Sequence, residues 1–129
     1  MTPELEQRLF DRYPALFRRR ALSMRETCMC WGVQCHDGWH DLIDAMCAAL
    51  EPFAGLELEQ VKEKFGALRV YTGMADGSHV PDEAHAIVKR AEHLSVFVCP
   101  LCGGPGARRV QGRWWIAYRC ADCNTKEER

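Results

Sequence analysis

The sequence predicts an α+β fold, with about three helices packed on a small antiparallel sheet and a short C-terminal hairpin after them. Two observations predict this body. Apolar residues recur at helical spacing in three separate stretches, and a stretch of two-residue alternation lies between the second and third. A third observation, paired cysteines near the end, sets the last segment apart. With 129 residues, 47% hydrophobic and 27% charged, the chain can bury a core without disulfides and has no disordered composition. A formal net charge of −1 excludes a uniformly basic nucleic-acid-binding protein, so any such role needs a local patch.

The elements follow in order. Thr2 and Pro3 are a helix-start pair, a capping hydroxyl and then proline in the first turn. Leu5, Leu9 and Tyr13 form the stripe of this first helix, which Pro14 ends. Residues 23–38 read as an irregular connection. Asp37 is a candidate cap for the second helix, whose stripe is Trp39, Leu42, Ile43, Met46, Cys47 and Leu50. Leu56 to Glu59 and Leu68 to Tyr71 alternate as paired strands, with Phe65-Gly66 in the turn and a bulge near Val61. A rival reading makes 57–65 helical. Ser78 is a candidate cap for the third helix, with Pro81, Asp82 and Glu83 in its first turn. Ala84, Ile87, Val88, Ala91 and Leu94 are its stripe, which ends near Val98.

The N-terminal stretch has no apolar core of a signal peptide, and no run approaches the length of a membrane span. The expected compartment is the cytoplasm, where stable disulfides are rare. Eight cysteines there point to metal rather than to a disulfide framework. Cys99-x2-Cys102 and Cys120-x2-Cys123 match the spacing of a zinc ribbon. The strands are Arg108 to Val110 and Trp114 to Tyr118, and Gln111, Gly112 and Arg113 are the turn. The expectation is one structural Zn2+ held by four thiolates, with no open position for water or substrate. Iron can use the same ligand set. The chain divides on this reading into an α+β domain at 1–98 and the ribbon at 99–129, packed together as one unit.

The other cysteines hold less signal. Cys28, Cys30 and Cys35, with His36 and His40, offer ligands for a possible second metal, but at no knuckle spacing. Buried thiols are the simpler reading for these cysteines and for Cys47. Cys35, His36, Asp37 and His40 also resemble fragments of a metal-dependent hydrolase, far short of a complete site. His85 and His93 read as solvated. With no phosphate loop, nucleophile elbow or HExxH motif, the chain does not read as an enzyme or as having a small-molecule substrate.

From 99 to 129 the chain carries six Lys/Arg against three Asp/Glu. Arg108, Arg109, Arg113 and Arg119 are interleaved with Trp114, Trp115 and Tyr118. That mix suits phosphate contact and base stacking, or an acidic protein surface. The plainer reading packs one of the two tryptophans against the rest of the fold. A second exposed patch is expected from Trp31, Trp39 and the Lys62–Arg69 hairpin.

Three segments together resemble a known group. They are Met29-Cys30-Trp31-Gly32-Val33-Gln34-Cys35-His36-Asp37-Gly38-Trp39, Val61-Lys62-Glu63-Lys64-Phe65-Gly66-Ala67-Leu68-Arg69-Val70-Tyr71, and the terminal CxxC pairs. In this order they are similar to a family of small uncharacterised proteins encoded by bacteriophages and prophages, over about residues 10–123. The family pattern has Gly-Gly at Gly66-Ala67 and an acidic residue at Gln34, so the resemblance assigns Gln34 no role. It implies a binding protein that modulates a host protein, such as a defence or transcription component. The alternatives are a nucleic-acid-binding ribbon and, third, the metal-dependent hydrolase.

Overall fold

A computed structural model describes the backbone of residues 1–127 and the side chains of residues 1–124. It is α+β. Helix α1 (Pro3–Arg12) ends against Tyr13, helix α2 covers His40–Leu50 and helix α3 covers Asp82–Ser95. Strands β2 (Leu56–Lys64) and β3 (Ala67–Met74) form the antiparallel hairpin, and the short strand β1 (Val33–Gln34) joins β2 in parallel. The sheet is therefore mixed, in the order β1-β2-β3. The connection at 23–38 supplies this extra strand, together with a 3-10 turn at Met29–Trp31. Two residues are too few to leave an alternation in the sequence.

The helical stripes bury as their spacing requires. Leu9, Phe10, Tyr13, Trp39, Ile43, Met46, Cys47, Leu50, Ala84, Val88 and Ala91 meet Leu56, Leu58, Val61, Leu68 and Val70 of the sheet in one core. The helical alternative for 57–65 is overturned by the strand, whose register with β3 shifts between Leu58 and Gln60, a bulge placed slightly before Val61. Ahead of that shift Glu57 is buried, and its carboxylate is neutralised by Arg18 and Arg19. Leu94 is 40% exposed, because the buried face of α3 runs through Ala84, Val88, Ala91 and Ser95 and leaves Leu94 to one side of it.

Two expected caps act elsewhere. The Asp37 carboxylate accepts the Thr2 backbone N–H at 2.7 Å, so it ties down the start of α1 instead of capping α2. The Thr2 hydroxyl makes no cap bond to α1. Ser78 donates to Asp76 in the loop before α3, and Pro81 occupies the cap position.

Strands β4 (Arg108–Gln111) and β5 (Ile116–Arg119) form the terminal hairpin. Its turn is longer than the spacing suggests. Gly112 N–H donates to Trp115 O at 2.9 Å, which places Trp114 and Trp115 in the turn rather than in the strand. Helix α4 (Ala121–Glu127) follows at once, a short element the sequence reading did not anticipate.

A candidate metal centre clamped to the fold

The first knuckle forms where α3 ends. Cys99 N–H donates to Gly104 O and Gly103 N–H to Cys99 O, each at 2.8 Å, and these bonds close the loop around the sulfurs. Gly104 N–H also points at Cys102 Sγ at 3.3 Å. The second pair straddles a junction: Cys120 follows β5, and Cys123 sits in the first turn of α4. The four Sγ atoms lie within 4.8 Å of one another.

These residues fit a metal ion. A tetrahedral ion with sulfur arms of about 2.3 Å requires neighbouring sulfurs about 3.8 Å apart. Cys102 and Cys120 sulfurs are 3.7 Å apart, far longer than a disulfide bond. Burial opposes ionisation of Cys99, yet backbone hydrogen bonding from Cys120, Cys102 and Leu101 outweighs it and brings the thiol down to about 6. Cys123 is pushed up to about 12, first by its hydrogen bond to Cys120 and then by burial. Sulfurs this close cannot all ionise without a cation among them, which is the electrostatic condition for holding a divalent metal.

The centre is fastened to the fold at two glycines. Gly38 N–H donates to Pro100 O at 2.8 Å, and a side chain at Gly38 would meet Gly103 N at 2.6 Å. Beside it Trp39 is wholly buried, and its indole N–H donates to Val98 O at 2.9 Å, one residue before the knuckle. Gly66, at φ 83°, lies against β5, where a Cβ would stand 2.9 Å from Ala117 Cα. The Cys35–Trp39 and Lys62–Arg69 segments thus hold the two sides of the ribbon. This corrects the expected exposed patch: Trp39 is core, while Trp31 is exposed.

The remaining candidate ligands do not assemble. Among the described residues, the terminal four cysteines are the group of three or more ligating side chains that comes together. Cys30 Sγ is engaged with Thr27 O at 3.4 Å, and Cys35 and Cys47 are buried thiols, as expected. Burial pushes Cys35 up to about 12 and raises Cys47 as well. Cys28 is exposed, which corrects its reading as a buried thiol. His36 is exposed, and His40 Nδ1 lies 3.0 Å from the Asp41 carboxylate.

On the ribbon face Arg108, Arg109 and Arg113 are exposed as expected, with Arg113 5.3 Å from the Trp114 ring. Arg119 turns inward instead. It is buried, donates to Tyr118 O at 3.0 Å and lies 3.8 Å from Glu63 of the other hairpin. The expected packing of one tryptophan on the body is also corrected: Trp114 is 85% exposed and Trp115 52% exposed, with Trp115 folded over Gly112 of its own turn. Phe65, in the turn of the Lys62–Arg69 hairpin that was expected in the exposed patch, is 74% exposed at φ 52°. Among the described residues no helix is long and apolar enough to cross a membrane. No protein-family model, curated protein or solved structure matches the chain.

Proposed function

We propose that the chain is a non-enzymatic zinc-ribbon binding protein of phage or prophage type, which acts in the host cytoplasm by engaging and modulating a host protein. The observation that supports this most is the pairing of a closed cluster of four cysteines with exposed aromatics on the elements fastened beside it. Four sulfurs around one ion leave no position for substrate, so the metal's role is to fold the segment. Zinc is favoured over iron as the redox-inert ion for a purely structural tetrathiolate. Phe65, Trp114 and Trp115 are large apolar side chains outside the core, a pattern that marks contact surfaces.

The test is a pull-down from expressing cells with the metal-loaded chain. One specific host protein should be recovered, and Trp114→Ala should weaken its capture. Recovery of no specific protein contradicts the host-protein reading. Metal analysis should find one zinc per chain and no visible absorption of an iron tetrathiolate.

A second reading, a nucleic-acid-binding ribbon, draws on one specific observation. Arg108, Arg109 and Arg113 are all exposed beside exposed tryptophans, which combines phosphate contact with stacking surfaces.

A further inference from the structure

The β2–β3 turn is built on Phe65 and Gly66, with φ of 52° and 83°. Those are the angles of a type I′ turn, for which Asn-Gly is the unstrained choice. A phenylalanine there is explained neither by the turn nor by the core, since the residue is 74% exposed. The ring borders a notch of about 380 Å³ whose other sides include Trp115, Ile116 and Ala117, with Gly66 beside them. Glu63 also lines the notch, but it faces Arg119 at 3.8 Å, so it does not present a lone negative charge.

The surroundings are cationic. The two hairpin segments, 62–69 and 108–119, hold seven Lys/Arg and one acidic residue in a chain whose net charge is −1. Lys64 Nζ lies 5.9 Å from the Phe65 ring, and exposed Arg108 and Arg109 sit on the strand paired with β5. Open aromatic faces with cations around them suit a polyanion that carries flat rings. In a duplex those rings are stacked away, so the fitting form is single-stranded.

Resting on the nucleic-acid reading above, we propose that the notch between Phe65 and Trp115 receives one unstacked base of a single-stranded nucleic acid, with Lys64, Arg108, Arg109 and Arg113 on the neighbouring phosphates. Stacking makes the contact tolerant of sequence.

The test uses the full metal-loaded chain and a fluorescently labelled single-stranded DNA of about 12 nucleotides, within the span one such groove tracks. Anisotropy at low salt should show binding, and the matching duplex should bind more weakly. Phe65→Asn, which suits the turn angles and so keeps the fold, should lower affinity about tenfold, as should Trp115→Ala. Arg108→Ala with Arg109→Ala should flatten the salt dependence by about two in the log–log slope. Tight binding that neither Phe65→Asn nor Trp115→Ala weakens overturns the notch while leaving the nucleic-acid reading in place. Absence of binding to any oligonucleotide at low salt removes that reading and the notch together. Loss of a captured host protein on Phe65→Asn, with no oligonucleotide binding, assigns the surface to a protein instead.

Discussion

The body and the ribbon of this molecule are held together by different physics. In the body, helices and sheet share one core whose members include Trp39, Phe17, Leu9, Ile43 and Leu50, all essentially inaccessible to water. In the ribbon the buried cluster is Cys99, Ala107 and Cys123, and two of those three are candidate metal ligands. Leu101, Tyr118 and Cys120 pack partly buried around them, so among the described residues the ribbon has little apolar area to set against the chain entropy of ordering the segment. The comparison teaches that in the ribbon a cluster of four cysteines, placed to hold a metal ion, stands where apolar burial stands in the body. It also explains why the body grips the ribbon at Gly38 and Gly66, since a small hairpin gains a fixed orientation only by docking.

The largest effect that would break this contrast is loss of a ligand. Cys123→Ser should remove most of a binding free energy on the order of 10 kcal/mol and leave the ribbon unfolded at neutral pH. Near-UV circular dichroism should lose its ribbon tryptophan signal while far-UV helix content falls only slightly. Next come the clamps. Gly66→Ala places a Cβ against Ala117 in a left-handed backbone, and Gly38→Ala drives one into the knuckle. Each should cost about 2–3 kcal/mol, measured by urea unfolding, through overpacking and backbone strain.

Smaller effects sharpen the picture of the body. Cys35 has its thiol raised to about 12 by burial, from an ordinary value of 9.0. Its folded form holds the proton more tightly than its unfolded form, so the stability it contributes is complete below pH 9 and declines as pH rises from there toward 12. Denaturant midpoints between pH 7 and 10.5, a range of about one to two pH units into that decline, should fall at the alkaline end. A Cys35→Ala variant should fall less. Smallest is Phe65→Asn, which relieves a bulky residue at positive φ and should raise stability by about 1 kcal/mol in the same assay. A gain there, with a loss of binding, marks Phe65 as kept for contact rather than for folding.

Much of this was legible in the sequence because the signals were local. The i, i+3, i+4 stripe from Trp39 to Leu50 and the CxxC spacing each sit within one element or one loop, where periodicity and ligand geometry act directly. What escaped depends on partners far apart in the chain. Nothing near Gly38 announces the knuckle sixty residues later that forbids it a side chain, and Val33-Gln34 becomes a strand only because β2 passes beside it. Arg119 alternates with Tyr118 as a surface residue should, yet it turns toward Glu63 because the two hairpins meet. Trp114 and Trp115 are apolar enough to suggest burial, but the turn closed by Gly112 holds them outward. The helix after Cys120 follows a strand with no loop, which leaves no punctuation to read.

Amide hydrogen exchange followed peptide by peptide, on the metal-loaded chain and after treatment with a strong chelator, tests the central contrast most directly. Protection across Cys99–Cys123 should collapse once the metal is removed, while α2, α3 and the β2–β3 hairpin keep theirs apart from the turn at Phe65-Gly66. Unchanged protection of the ribbon after verified metal loss would contradict the account, because apolar packing would then be sufficient to hold it.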